Sequence, residues 1–211
     1  MRVKVLSRRE VEAGEAIGAD AVISIRGSAP RTEPELAAAL AQATRGESAR
    51  LLRLHFDDVA LPTYRHLVGP TMEQVSTAVA FGRAIISGDN LFDVAVDDPL
   101  IAVHCEHGRS RSAAIALALL ADHHGVGNET AAVAELMRGD ITDRAHPNPL
   151  AISLADACLW RYGRLEAALV ELSANYVRWR EVWREIALDP DAAWLRAARA
   201  VRRKKQDSRA N

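Results

Sequence analysis

The segment AVHCEHGRSRSAA, residues 102–114, brings a thiol, a glycine and a guanidinium together within seven positions. An apolar run precedes Cys105 and an Ala/Leu-rich run follows Arg111, so a strand would deliver the thiol and a helix would begin beside the arginine. Gly108 permits a positive φ in the turn, and the backbone N–H groups from Glu106 onward can then converge at the positive end of that helix. Such a loop suits a phosphate anion, with the planar guanidinium of Arg111 holding two of its oxygens.

Cys105 would lie at the bottom of this loop, where the same positive field stabilises a thiolate. A thiolate below a tetrahedral phosphorus is placed to attack it; the alternative is a small core cysteine beside a chance arginine. The Ser112 hydroxyl could hydrogen-bond the thiolate and help it leave, or could cap the helix. We expect Glu106, His107 and Arg109 to contribute backbone N–H groups, with side chains at the rim that tune specificity.

The string HCEHGRSRS resembles the signature loop of cysteine-dependent protein tyrosine phosphatases of bacterial type. It is most similar to the dual-specificity branch, whose pattern is His-Cys-x-x-Gly-x-Ser-Arg-Ser. Every fixed position of that pattern is matched, by His104, Cys105, Gly108, Ser110, Arg111 and Ser112. The resemblance extends over residues 21–163. It implies substrate binding by the loop from Glu106 to Arg111 and a His104 that orders the thiolate through backbone hydrogen bonds.

Spacing separates this loop from other sites that contain cysteine. Rhodanese-like loops place their arginine one residue earlier, where this chain has Ser110. Low-molecular-weight phosphatases and arsenate reductases carry a similar loop near the N-terminus, whereas here it lies mid-chain. His104, Cys105 and His107 are too closely spaced for a usual zinc site, and no distant ligand pair completes one. We expect neither a metal nor an organic cofactor.

A departing ester oxygen needs a proton, which a carboxyl group can supply. Asp57 and Asp58, in LHFDDVALP, follow the third predicted strand and so belong at the sheet edge where Cys105 lies. The resemblance implies that one Asp before the cysteine is the general acid, although 47 positions from Asp58 to Cys105 exceed the usual dual-specificity spacing. We favour Asp58, which lies further into the loop, over Asp57. Either could instead stabilise a turn, and Asp97 and Asp98 are weaker candidates.

Composition excludes several classes of protein. The 211 residues carry 27 Lys and Arg against 28 Asp and Glu, so no overall positive field indicates a nucleic-acid partner. No apolar run is long enough to cross a bilayer, and the first residues lack the apolar core of a signal peptide. Two cysteines, Cys105 and Cys158, do not form a disulfide framework. We expect a cytoplasmic protein with no membrane or nucleic-acid partner, and a Cys158 that belongs to the core.

Strands alternate with helices in the first half of the chain, and only helices follow. Apolar runs predict four strands, over residues 3–7, 21–27, 49–56 and 100–105. Residues 57–70, with two prolines, are predicted to form a loop. Thr71 and Gln74 have capping-box spacing. Helices are predicted over residues 9–17, 33–44, 72–87, 112–125, 128–139, 149–163, 164–188 and, shorter and with a basic frayed tail, from 190.

This order predicts an α/β fold with a central, mainly parallel sheet of four to five strands flanked by helices. Residues 1–165 would form the phosphatase-like domain, and residues 166–211 a helical C-terminal extension packed on it. The aromatic residues of the extension would pack internally or mediate a homo-oligomer. Asn148, before Pro149, is interpreted as a helix N-cap rather than as a site residue.

The predicted activity is that of a phosphomonoesterase, a protein tyrosine or dual-specificity phosphatase acting through a cysteinyl-phosphate intermediate. Its partner would be a phosphorylated protein or a small phosphomonoester. Two alternatives stay open. One is a phosphatase for inositol phosphates or phosphoinositides, which Arg109 would favour. The other is a pseudophosphatase module that binds phosphate with little turnover.

Overall fold

The computed structural model describes residues 1–29, 31–88, 98–140 and 142–210, with side chains up to residue 200. Its central sheet contains four parallel strands in the spatial order β1-β6-β2-β3. The strands are β1 (Arg2–Ser7), β2 (Ala21–Arg26), β3 (Leu51–His55) and β6 (Leu100–Cys105). A separate antiparallel hairpin joins β4 (Thr63–Tyr64) to β5 (Leu67–Val68).

Alternating side chains of the strands divide the core between the two faces of the sheet. Val22 and Ala102 pack on one face with Leu36 and Leu40 of the helix that follows β2. Ile23 and Val103 point the other way, into the larger core. Two-sided burial explains why these strands are continuous apolar runs rather than alternating polar and apolar residues.

Helices cover both faces of the sheet. α1 (Arg8–Glu12) and α2 (Pro34–Ala43) lie on the smaller-core side. The other side holds the helices α3 (Met72–Ser87), α4 (Arg111–His124), α5 (Glu129–Gly139), α6 (Pro149–Cys158) and α7 (Arg164–Leu172). The chain ends in α8 (Ala174–Leu188) and α9 (Pro190–Ala210). The predicted capping box is confirmed: Thr71 Oγ1 accepts from Gln74 N at 3.3 Å, and Gln74 Oε1 accepts from Thr71 N at 3.0 Å.

The helix after the cysteine, α4, is buried on every side from Arg111 to Ala121. It packs against β1 and β6 and also against α3, α5 and α6. This explains its Ala/Leu composition, since a helix without a solvent-facing side has no place for polar residues. Arg111, the first residue of α4, is therefore anchored in the buried core.

Several predicted elements differ from the structure. The 57–70 loop contains the β4–β5 hairpin, which Asp57 fastens by donating its N–H to Val68 O at 2.6 Å. The helix predicted over residues 164–188 is broken at Ser173, whose backbone is extended. The Ser173 hydroxyl caps α8 by accepting from Tyr176 N at 3.1 Å. The first helix stops at Glu12 instead of residue 17, and the last helix is long, extending from Pro190 to Ala210.

The predicted α/β class with a parallel sheet of four strands is confirmed. The C-terminal helices pack on the rest of the chain, α7 against α5 and α8 against α6. The division at residues 165 and 166 stays a prediction, as does a homo-oligomer formed through these helices. No helix within the described ranges is both long and apolar enough to cross a lipid bilayer.

Candidate active site

The loop after β6 is held against the end of β1 by a glycine. Cys105 is the last residue of β6, and its side chain is only 2% exposed. Gly108 has a φ of +67°, and a Cβ there would lie 2.7 Å from Ser7 N and 2.8 Å from Leu6 C. Both the backbone conformation and this close approach require glycine. Arg8 N also donates to Glu106 O at 3.3 Å, so two contacts fix the loop to the first strand and helix.

The backbone N–H groups of this loop are unpaired. From Glu106 to Arg111, none donates a hydrogen bond to another residue of the described ranges. Because backbone donors are seldom left unpaired inside proteins, successive free N–H groups at the start of a helix form an anion-binding cradle. The carbonyls of the same loop are occupied instead, with His146 N donating to Arg109 O at 3.0 Å and Asn148 N to Ser110 O at 3.3 Å.

Arg111 presents its guanidinium at this cradle. One nitrogen, Nη1, donates to Phe56 O at 3.1 Å, which ties the side chain to the residue just after β3. Its Nε is buried and has no hydrogen-bond partner among the described residues. A buried, unpaired guanidinium N–H is costly unless a ligand satisfies it, and an oxyanion is the ligand that matches it best.

Two polar groups surround the thiol of Cys105. Its Sγ lies 3.1 Å from Ser112 Oγ, as predicted for a hydroxyl that stabilises a thiolate. Ser112 does not cap the helix, because α4 begins at Arg111 and Ser110 is its N-cap residue. His104 is buried, and its Nε2 lies 2.8 Å from Ser24 Oγ. Burial lowers the pKa of His104 to about 4, so this imidazole is neutral at physiological pH.

The two aspartates after β3 have different surroundings. Asp57 accepts from the Ser28 hydroxyl, and its Oδ2 also accepts from Val68 N at 2.9 Å. Burial alone would raise the pKa of Asp57, but these hydrogen bonds and nearby Arg111 outweigh it and hold the pKa below its usual value. Asp57 is therefore an ionised structural anchor of the hairpin, a poor proton donor.

Asp58 faces the phosphate loop. Its Oδ1 accepts from Ser110 Oγ at 2.6 Å and from Asn148 Nδ2 at 3.2 Å. Its other oxygen accepts from no residue of the described ranges. A carboxyl group with one oxygen held and the other available is arranged to exchange a proton with a ligand in the same pocket.

Asn148 has a larger role at the site than the sequence indicated. It is the N-cap of α6, as predicted, with Oδ1 accepting from Ala151 N at 3.1 Å. Its Nδ2 also donates to Asp58 Oδ1 and, at 3.1 Å, to Val59 O. The completely buried amide thus connects α6 to the aspartate loop. Its position before Pro149 indicated the cap, and no local signal indicated the contact with Asp58, 90 positions away.

A pocket of about 360 Å³ opens above Cys105 at the carboxyl ends of β2, β3 and β6. Ligands of parallel sheets bind at such edges. Among the predicted site residues, those that line it are Cys105, Glu106, His107, Arg111, Asp57 and Asp58. The other predicted site residues, Gly108, Arg109, Ser110 and Ser112, do not line it. Asp98 lies at the far end of β6, in an ion pair with Arg2 at 2.8 Å, and Asp97 is outside the described residues.

No cluster of three or more His, Cys, Asp or Glu side chains within the described ranges is suited to hold a metal ion. Cys158 lies on α6, half-buried in the larger core, and burial raises the pKa of its thiol. These surroundings match the predicted core role of Cys158.

Comparisons with known proteins give similarity only at the level of structure. No protein-family model matches the chain, and no curated protein matches its sequence. The chain is similar to human DUSP28, with 19% identity and a TM-score of 0.49 over 80% of this chain and 94% of that one. It is also similar to Tk-PTP in its active form, with 15% identity and a TM-score of 0.46 over 76% and 93%.

A third similar structure is PTPMT1 in complex with PI(5)P, with 17% identity and a TM-score of 0.44 over 79% of this chain and 93% of that one. These identities and TM-scores describe similarity of the backbone path alone.

Proposed function

We propose that the chain is a cysteine-dependent phosphomonoesterase of the protein tyrosine and dual-specificity type. The observation that carries this proposal is the row of unpaired N–H groups from Glu106 to Arg111 above a buried cysteine. These donors and the free Nε of Arg111 supply what a phosphoryl group needs as charge develops on its oxygens. A core cysteine without a ligand would give no reason for so many unpaired donors at one helix end.

The first chemical step forms a bond from Cys105 Sγ to phosphorus and breaks the bond from phosphorus to the ester oxygen. The departing oxygen takes the proton of Asp58, which lines the pocket. Arg111 and the loop N–H groups hold the three remaining phosphoryl oxygens throughout. The products are the free alcohol or phenol and a cysteinyl phosphate.

The second step hydrolyses that intermediate. The Asp58 carboxylate takes a proton from a water molecule, whose oxygen attacks phosphorus as the bond from phosphorus to sulfur breaks. Ser112 Oγ, 3.1 Å from Sγ, stabilises the departing thiolate. The step regenerates the thiolate and the protonated Asp58 and releases inorganic phosphate, so the cycle consumes only water.

Burst kinetics with p-nitrophenyl phosphate test this proposal. We expect Cys105→Ser to abolish turnover and Cys158→Ser, the matched change at the other cysteine, to leave it intact. Asp58→Ala should lower kcat by about a hundredfold, the usual cost of losing a general acid. A Cys105→Ser enzyme that keeps its activity would refute the cysteinyl-phosphate route. A wild-type protein that binds phosphate without turnover would support the pseudophosphatase alternative.

One observation favours a second candidate substrate, a phosphorylated polyol such as an inositol phosphate. Arg8, Arg26 and Arg31 also line the pocket, whereas no Phe, Tyr or Trp of the described ranges does. Glu33 pairs with Arg8 at 2.8 Å and also with Arg26, so the guanidinium groups are oriented in advance. A leaving group that carries a second anion would find cations there, and a phenyl ring would find no aromatic wall.

Competing substrates decide between the two candidates. The values of kcat/KM for a phosphotyrosine peptide and for a soluble inositol bisphosphate should be compared, with inositol monophosphate as the matched control. If the substrate is a phosphorylated polyol, kcat/KM should be higher for the bisphosphate than for the phosphotyrosine peptide. Arg31→Ala should then reduce the ratio of kcat/KM for the bisphosphate to kcat/KM for the monophosphate. Faster turnover of the phosphotyrosine peptide would reject this second candidate.

A further inference from the structure

The segment that follows Asp58 is covered by the C-terminal helices. Val59, the next residue, is only 2% exposed and belongs to a small hydrophobic cluster with Tyr64 and Trp183. Trp179 and Ile186 of α8 and Trp194 of α9 pack against the same cluster. The cluster is separate from the two cores on the faces of the sheet. It therefore joins the aspartate loop specifically to the extension.

Edge-to-face ring contacts hold this cluster together. Tyr64 contacts two tryptophans from different helices, Trp183 at 5.8 Å and Trp194 at 5.5 Å between ring centroids. The interplanar angles are 82° and 79°. Trp179 and Trp183 form a further pair at 6.0 Å and 89°. Contacts of this geometry stabilise beyond the burial of their area, and they fix ring orientation. We call Trp179, Trp183 and Trp194 the tryptophan clamp.

The clamp also reaches the second segment that contacts Asp58. His146 lies two residues before Asn148, whose side-chain amide donates to Asp58. The ring of His146 packs on that of Trp179, with 5.0 Å between the ring centroids. Arg65, at the tip of the hairpin, pairs with Asp191 at the start of α9 at 2.7 Å. The extension therefore holds both the loop that carries Asp58 and the loop that carries its amide partner.

We infer that the tryptophan clamp is a positioning element for the proposed general acid Asp58. This inference rests on the proposed function. Loops that carry catalytic groups are usually mobile, and a misplacement of 1 Å can cost on the order of a hundredfold in rate. Here Val59 and Tyr64, on the chain that leaves Asp58, are packed on rigid helices instead. The clamp touches neither the pocket nor Cys105. Trp183 and Trp194 reach the site through Tyr64 and Val59, so they act on the loop that carries Asp58.

A comparison of leaving groups separates this role from a general structural one. The dinitrophenolate released from dinitrophenyl phosphate leaves without protonation. The phenolate released from phenyl phosphate needs the acid, because phenol has a pKa of about 10. Trp194→Ala should lower kcat/KM, which reports the first step, for phenyl phosphate by roughly tenfold or more, while kcat/KM for dinitrophenyl phosphate changes little. It should also weaken the alkaline limb of the pH profile of kcat/KM for phenyl phosphate. Trp160→Ala is the matched control, because Trp160 is 74% exposed and outside the clamp.

Several outcomes would overturn the inference. If Trp194→Ala lowers kcat/KM equally for both esters, or gives the same ratio of the two kcat/KM values as Trp160→Ala, the clamp contributes to stability alone. If the alanine variant does not fold, Trp194→Leu keeps apolar contact without the ring, and its ratio of the two esters decides by the same criterion. Failure of the proposed function is distinguishable, since it would appear as turnover in Cys105→Ser or as an Asp58→Ala enzyme that does not discriminate between the esters.

Discussion

Protonation of the unfolded chain should destabilise the protein between pH 7.5 and pH 5 through one buried residue, His104. Its side chain is 1% exposed, and burial lowers its pKa to about 4 from an ordinary value of 6.5. As the pH falls below 6.5, the unfolded chain binds a proton at this position and the folded chain does not. The contribution of neutral His104 to the free energy of unfolding is therefore present in full above pH 6.5 and is lost as the pH drops toward 4.

The size of the effect follows from the two pKa values. Between them, each pH unit costs about 1.4 kcal/mol, so the fall from 6.5 to 5 removes about 2 kcal/mol of unfolding free energy. Urea unfolding at pH 7.5 and at pH 5 measures this loss in the wild type and in His104→Gln. The glutamine cannot titrate, so the variant should lose about 2 kcal/mol less between the two pH values.

The comparison cancels other titrating groups, because these are the same in both proteins. His55→Gln is the matched control, since His55 is exposed at the end of β3, and it should keep the wild-type pH dependence. The reasoning is refuted if His104→Gln loses as much stability as the wild type between pH 7.5 and pH 5. That result would mean that the folded protein protonates His104 beside Cys105.

Three substitutions test the other parts of the site. Gly108→Ala should cost at least about 1–2 kcal/mol for the left-handed backbone and abolish turnover of p-nitrophenyl phosphate, whereas Gly139→Ala, where a Cβ meets nothing, should leave kcat unchanged. Asn148→Ala should lower the unfolding free energy in urea by about 2–3 kcal/mol, because its buried hydrogen bonds are lost; a neutral effect would contradict the network. Asp57→Asn should keep the alkaline limb of the kcat profile that Asp58→Asn loses; loss in Asp57→Asn with retention in Asp58→Asn would make Asp57 the acid.

The strand, the phosphate loop and the buried helix could be predicted from the sequence because each has a local cause. The apolar run before Cys105, the conformational requirement at Gly108 and the Ala/Leu content after Arg111 each act within a few residues. The capping residues Thr71 and Asn148 are local signals of the same kind. These elements formed as predicted because tertiary packing agreed with local preference.

The contacts around Asp58 could not be predicted, because they join residues that are distant in sequence. Ser110 is 52 positions away and Asn148 is 90 positions away. The hairpin after Asp57 was also missed, since its strands have two residues each and too little pattern to detect. The break at Ser173 was hidden by a helical pattern on both sides of it. A capping serine inside such a pattern shows its effect only when the two helices pack in different directions.

Asp57 and Asp58 are neighbouring carboxylates with different hydrogen-bond partners. Asp57 and Asp58 are adjacent in sequence and both line the pocket, so position alone does not decide which of them is the proton donor. Three donors on Asp57, the Ser28 hydroxyl and the backbone N–H groups of Ser28 and Val68, favour its ionised form. The pKa of Asp57 is held below its usual value, so the proton required by a leaving group is not stored there. Because Val68 belongs to the hairpin that the tryptophan clamp packs against, one of the contacts that keep Asp57 ionised also fastens the hairpin next to Asp58. Separating the environments of two adjacent carboxylates is how proteins assign distinct acid and anchor roles. The roles proposed for Asp58 and Asp57 follow that pattern, with the Val68 N–H of the hairpin bound to Asp57.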